Sequence, residues 1–282
     1  MMKIKKIILS VAFYVIAGTA ALIYLFPLYW MVVSSFKPMN EIFKIPFEWL
    51  PETWTLKHFI SGWKFMGGVT FTRVYLNTFF VTIMNVIGTL ISSSLAAFAF
   101  ARIKFKGRNI LFIVLLATMM LPYQVTTVPT YLIFSKLGMV DKLISLFITS
   151  FLGRDAFFIF MIRQFFMGIP YEYDEAARLD GASTFRIFAQ ILLPLAKPVL
   201  LTVTVMSFSN AYNDFFSPLI LINSLKNFTV PIAINIFLDE AGAGNIGAAI
   251  AMTTLSVAPL LIIFFVVQKQ FMQGVASSGL KG

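Results

Sequence analysis

PYEYDEAARLDGASTFRIFAQILLPLAKP, residues Pro170–Pro198, is the only long polar interruption of this chain that is itself patterned. Pro170 suits the first position of a helix, and Glu172, Asp174 and Glu175 place negative charge in its first turn, where free backbone N–H groups favour it. Gly181 is expected to end that helix. Ser183 then caps a second helix, with Ile187, Phe188, Ile191 and Leu192 on one face, which Pro194 is expected to stop. The pattern predicts a helix, a glycine turn and a helix. Ala176 and Ala177 allow another backbone to approach closely, so the stretch reads as a docking surface.

Around it the chain is overwhelmingly apolar. Of 282 residues, 59% are hydrophobic and 12% charged, with mean hydropathy +0.87, against about 25% charged in soluble domains. An integral membrane protein follows, because a soluble domain cannot hide that much apolar surface. The net charge of +10 lies in clusters beside apolar runs with no separate basic domain, which argues for membrane topology and against nucleic acid. Cysteine is absent, excluding disulfides and thiolate metal sites. The single histidine, His58, reads as a solvated residue of a surface loop rather than a ligand.

Apolar runs of about 20 residues span a bilayer as helix, and six are expected. Ile7–Val33 follows Lys3, Lys5 and Lys6 and is too long for a cleaved signal. Ser34–Arg73 is polar, with three prolines, three glutamates and five basic residues, and is expected to be an extracytoplasmic loop with some short structure, although its positive excess runs against the positive-inside rule. Tyr75–Phe100 is the second span. ARIKFKGR, Ala101–Arg108, carries four basic residues and no acid and marks the cytoplasm. Ile110–Phe134 is the third span, to be bent or ended by Pro122 and Pro129, and Leu143–Phe166 the fourth. Val199–Ile222 and Ile246–Val267 complete the set, joined by an outer loop with Lys226, Asp239 and Glu240. Both termini are then cytoplasmic, and the lack of an inverted repeat counts mildly against a secondary transporter.

No phosphate-binding loop, zinc helix or nucleophile elbow is present, so energy for transport must come from a partner or an ion gradient. Arg154, Asp155 and Asp214 fall within spans, where each costs about 2.5–3.5 kcal/mol near the bilayer centre. An Arg154–Asp214 salt bridge between the fourth and fifth spans is one expectation. A translocation-path role is the other, with Asn85, Asn210, Tyr212 and Asn213 as polar or aromatic companions; helix-to-helix hydrogen bonding is the preferred reading of any single one of them. The 32 phenylalanines are read as lipid-facing or packing residues. Ser92–Ser94 with Ala96, Ala97 and Ala99 reads as a close helix-packing face.

The segment EAARLDGASTFRIFAQILLPLAKP, Glu175–Pro198, resembles the EAA motif of ABC importer permeases, through Glu175, Ala176, Ala177, Asp180, Gly181, Ala182, Phe188, Leu193, Pro194 and Pro198. NAYNDFFSPLILI, Asn210–Ile222, resembles the W-N-D-F segment of the carbohydrate-uptake, maltose-transporter-type branch, with Tyr212 in place of tryptophan. QKQFMQGVASSGLKG, Gln268–Gly282, resembles that branch's C-terminal tail, with leucine for alanine before the final Lys-Gly. The resemblance implies an all-α polytopic membrane protein of type I importer fold. Its divisions would be 1–72, an N-terminal transmembrane helix and extracytoplasmic loop; 73–268, the permease core; and 269–282, a cytoplasmic tail.

It further implies that Glu175, Ala176, Ala177, Asp180 and Gly181 form a coupling helix on a cytoplasmic ATPase. The implied partners are a homologous second permease, an ATPase dimer that binds ATP and Mg, an extracytoplasmic solute-binding protein, membrane lipid and a sugar. The chain itself would catalyse nothing and bind no cofactor, in a bacterial or archaeal cell membrane. An ABC permease for a polyol or glycerol phosphodiester, an ion-coupled secondary transporter and a membrane enzyme are the alternatives.

Overall fold

The computed structural model describes residues 2–239 and 245–279; the expected outer-loop Glu240 and the last three residues of the C-terminal signature lie outside them. Among the described residues the ordered structure is helical throughout. In chain order the principal helices are α1 (Met2–Ser34), α2 (Lys57–Trp63), α3 (Phe71–Arg102), α4 (Arg108–Thr118), α5 (Tyr123–Lys136), α6 (Ala156–Gly168), α7 (Glu172–Leu179), α8 (Thr184–Ile187), α9 (Lys197–Tyr212), α10 (Phe216–Leu221), α11 (Val230–Asp239) and α12 (Ile246–Gly279).

Three of them contain stretches long and apolar enough to cross a membrane: Leu9–Ser34, Phe71–Arg102 and Ile246–Gln268. The bent pair Thr184–Leu195 and Lys197–Tyr212, meeting at 77°, qualifies as a fourth if taken together. The expected third, fourth and fifth spans are not continuous helices. The third breaks between Thr118 and Tyr123, where Pro122 precedes α5, as proline chemistry dictates; Pro129 is carried inside α5. The fourth is corrected. Leu143–Leu146 and Ile148–Leu152 are 3-10 turns, Gly153 adopts φ +72°, and the α-helix starts only at Ala156. The fifth is corrected likewise, since it breaks at Asn213 between α9 and α10. Arg154, Asp155 and Asp214 therefore sit at helix breaks instead of helix middles. Backbone freed in this way is tolerated at membrane depth only where protein or a water-filled cavity can satisfy it.

Pro194 does not stop the second helix of the opening stretch. Residues Phe188–Leu192 widen into a π-turn and helix resumes over Leu193–Leu195. A longer-range hydrogen-bond pattern immediately before a residue that has no N–H to give accommodates the proline, and the bend falls at Ala196 instead.

The chain divides into two compact units, residues 1–71 with 233–258, and residues 72–232 with 259–282. In the first, α1 leaves Leu22, Ile23 and Tyr24 at least 65% exposed, a surface stable only against lipid or another chain. Its polar loop is a packed aromatic structure. Phe36 meets Trp54 and Phe59, while Lys37 is buried, donating to the Glu48 carbonyl and lying 4.9 Å from the Phe47 ring centroid. Lys44 pairs with both Glu48 and Glu52, and these carboxylates raise its pKa.

His58 corrects its reading as a solvated loop residue. It is half-buried on α2, with Nε2 2.9 Å from the Lys37 carbonyl oxygen. Its ring lies so near Gly247 that a Cβ there would stand 2.1 Å from Cε1. Gly247→Ala is therefore expected to lower stability by about 1–3 kcal/mol through overpacking. Recovery in the His58→Ala/Gly247→Ala double variant, read by thermal unfolding in detergent, is the check.

The second unit is built on α3. Its small-residue face packs closely, as the sequence suggests: Ala97 is fully buried, the Ser92 hydroxyl donates to the Ser150 carbonyl at 2.6 Å, and a Cβ on Gly88 would lie 2.6 Å from the Phe151 ring. Phe98, Ile162, Phe166, Ala177, Phe188 and Val203 form one buried cluster that joins α3, α6, α7 and α9. Between membrane helices such a cluster is held by close van der Waals packing. At one end Asp141, with φ +62°, ties the loops of this unit. Its carboxylate accepts from the Asn223 and Ser224 backbone N–H groups and from the Ser224 hydroxyl. Burial works against ionisation there, but these hydrogen bonds with that of Asn227 prevail and hold the carboxyl at about 2.

Candidate functional site

Two groups of residues stand out in the second unit: a polar cavity at the helix breaks, and the exposed helix α7. The cavity has a volume of about 230 Å3 and is lined by Asn85, Arg154, Asp155, Ser207, Asn210, Asp214 and Ser217, with Phe158 and Ala211. Five of the seven path residues expected from sequence thus converge on one space. Four of the five have a hydrogen-bonded tether. Asn85 on α3 accepts from the Ser150 hydroxyl at 2.8 Å and donates to the Leu146 carbonyl. Asp155, at the N-terminus of α6, accepts from the Thr89 hydroxyl at 3.2 Å. Arg154 donates to Thr149 Oγ1 at 3.3 Å, and Asp214 accepts from the Ser217 backbone N–H at 3.0 Å, at the start of α10. Both aspartates lie where helix N-termini favour negative charge.

The other two expected path residues lie elsewhere. Tyr212 is 2% exposed and stacks on Phe208, with Phe79 at 5.8 Å, so it packs the bundle. Asn213 is exposed and donates to the Ser209 carbonyl, closing the end of α9. Sequence missed Ser207 and Ser217, which line the cavity; serines carry no signal until helix faces are known.

The second group forms as follows. α7 begins two residues after Pro170, with Glu172, Asp174 and Glu175 in its first turn. It ends at Leu179 and is closed by Gly181 N–H to the Arg178 carbonyl and Ala182 N–H to the Ala177 carbonyl, with Gly181 at φ +78°. That left-handed residue is the usual solution for a helix C-terminus and favours glycine. Ser183 caps α8, accepting from the Arg186 N–H at 3.3 Å.

The two faces of α7 differ sharply. Asp174 and Ala177 point inward, at 1% and 7% exposure, whereas Glu175, Ala176, Asp180 and Gly181 are exposed. Ala177 therefore belongs to the seat of the helix, not to its free surface. The free surface mixes the charged Glu172, Glu175, Arg178 and Asp180 with large apolar side chains: Leu179 is 90% exposed, Phe185 69% and Tyr173 52%. Tyr173 and Leu179 belong to α7 and Phe185 to α8. The inward face carries a buried ion pair. Arg102, at the end of α3, has Nε 3.5 Å from Asp174 Oδ2, while its Nη2 donates to the Ile169 carbonyl at 2.8 Å and its guanidinium lies 5.4 Å from the Tyr171 ring centroid. Burial pushes the Asp174 carboxyl up, against the pull of Arg102 and Arg178.

A helical membrane protein with broken helices around a polar cavity and one exposed, firmly seated short helix has the build of a transport subunit that works with other chains. The chain belongs to the family described as "Binding-protein-dependent transport system inner membrane component", whose model matches residues 88–277. It is a permease subunit of ABC importer type and not an enzyme. It is 34% identical to the "Probable ABC transporter permease protein YurM" of Bacillus subtilis (strain 168), over 91% of this chain and 84% of that relative. The "Arabinooligosaccharides transport system permease protein AraQ" of the same organism is 30% identical over 93% of this chain and 92% of its own length. The fold matches a chain from the crystal structure of a bacterial ABC transporter involved in the import of the acidic polysaccharide alginate. The TM-score is 0.81 and the identity 24%, over 95% of this chain and 98% of that one.

Proposed function

We propose that this chain forms half of the translocation pathway of an ATP-driven, binding-protein-dependent oligosaccharide importer and couples to a cytoplasmic ATPase through α7. The ATPase dimer would bind ATP and Mg. A homologous second permease and an extracytoplasmic solute-binding protein would complete the complex. The observation that carries the substrate class is the cavity lining: amide and hydroxyl groups from Asn85, Asn210, Ser207 and Ser217 beside one arginine and two aspartates. Such a surface suits a neutral, many-hydroxyl solute, and its formal charge of −1 (one arginine against two aspartates) disfavours a phosphodiester. The oligosaccharide system named for the AraQ relative supports the same class.

The orientation follows from the short basic connection Ala101–Arg108, which the positive-inside rule assigns to the cytoplasm with both termini. Within residues 34–73, whose basic excess runs against that rule, Lys37 is buried and Lys44 is paired with two glutamates. With the basic connection inside, α7 and the end of α3 face the ATPase.

ATP hydrolysis by the reconstituted complex, measured with its binding protein and a panel of sugars, polyols and glycerol phosphodiesters, tests the reading. Stimulation by an oligosaccharide is expected. Stimulation by a phosphodiester and by no carbohydrate would overturn the sugar assignment and leave the permease assignment standing.

A further inference from the structure

The buried Arg102–Asp174 pair is used by neither the cavity nor the exposed face of α7. It is also expensive to build. The two side chains are 6% and 1% exposed, yet the approach of 3.5 Å makes no hydrogen bond between them. Well-packed apolar residues usually serve stability as well as or better than such a pair, so stability alone does not account for it.

Its position suggests what does. α3 is one unbroken helix from Phe71 to Arg102, and it touches the cavity through Asn85 and through Thr89, which donates to Asp155. Arg102 lies 13 residues beyond Thr89, about 20 Å along the helix axis. α6 runs alongside, from Asp155 at the cavity to Gly168. Arg163 of α6 donates to the Phe100 carbonyl of α3 at 3.3 Å, and Arg102 of α3 bonds the Ile169 carbonyl just after α6. The two helices are thus tied to each other at the cavity and again at the far end. At that far end Arg102 alone among these ties also grips α7, through Asp174.

We infer that Arg102 is a positioning residue: with Asp174 it forms the joint through which displacement of α7 moves the α3–α6 strut and so the walls of the cavity. The inference rests on α7 being the ATPase contact. Packed elements held by discrete ties transmit movement as rigid bodies, and an ion pair resists shear between α7 and α3 better than the surrounding apolar contacts, which can slide.

The test measures substrate moved per ATP hydrolysed by the assembled, reconstituted complex, for Arg102→Gln and Asp174→Asn. Cross-linking of a cysteine at Leu179 to the ATPase is measured in parallel. Where a single variant leaves an unpaired buried charge and fails to assemble, Arg102→Met with Asp174→Asn removes both charges and is used instead. The expected result is an intact cross-link, unchanged basal ATP hydrolysis and about a tenfold fall in substrate per ATP, within the range of ordinary coupling energies. An intact cross-link with wild-type substrate per ATP overturns the inference, as does loss of the cross-link in the variant, which would make the pair part of docking. Absence of the cross-link in the otherwise wild-type chain overturns the ATPase-contact reading instead.

Discussion

Gly181→Val is expected to abolish most transport while the complex still inserts in the membrane. Gly181 holds φ +78°, and a Cβ there would meet no atom within 4 Å, so the effect is conformational and not steric. A β-branched residue in the left-handed region costs about 1–2 kcal/mol or more, and relief comes from unwinding the last turn of α7. That turn carries Leu179 and the Ala182-to-Ala177 hydrogen bond, so the exposed surface loses its shape. About a tenfold loss of coupled transport corresponds to 1.4 kcal/mol. Gly181→Asn, whose side chain tolerates the left-handed region, is expected to keep most activity. Equal activity in both variants would mean that the shape of this turn does not matter. Glu175→Lys, which places positive charge in the first turn of the same helix, is expected to weaken coupling by a smaller factor, about 0.3–1 kcal/mol.

Asp214→Arg and Arg154→Asp are each expected to reduce transport by about 100-fold, because an uncompensated charge at membrane depth costs about 2.5–3.5 kcal/mol. The double exchange is expected to recover most of it. Both residues line the same cavity, between α9 and α10 on one side and at the start of α6 on the other, so exchanging them preserves the cavity's formal charge. Uptake by membrane vesicles containing the full complex is the measurement. No recovery in the double variant would show that the two charges act separately, Asp214 through the Ser217 N–H and Arg154 through Thr149.

The class of the protein was legible because it rests on quantities that need no contacts: apolar run length, the basic connection at Ala101–Arg108 and the absence of a phosphate loop. The helix, glycine turn and helix of residues 170–198 was legible for the same reason, since Gly181 and Ser183 act locally. Sequence reasoning missed the breaks in the fourth and fifth spans. Asp155, at the start of α6, is held by the Thr89 hydroxyl 66 residues away, which no local pattern announces, whereas Asp214 closes a local turn on the Ser217 N–H inside a run whose apolar composition masks it. Tyr212 illustrates a second kind of miss: the resemblance singled out the position, but only packing reveals that its ring is enclosed by Phe79 and Phe208. For α7, the adjacent alanines suggested a single small-residue face, whereas the helical period turns Ala177 with Asp174 inward and leaves Leu179 outside. His58 was misread because nothing local announces that Gly247, far along the chain, makes room for its ring.

The chain contains no cysteine, so Leu179→Cys introduces a single reactive thiol at the most exposed apolar position of α7. Cross-linking that thiol to the ATPase subunit in the native complex, with and without ATP, decides whether α7 is the contact. An ATPase adduct whose yield changes with nucleotide is expected. A thiol that stays open to water-soluble reagents in the fully assembled complex, and forms no adduct in either state, would contradict the coupling role of this helix.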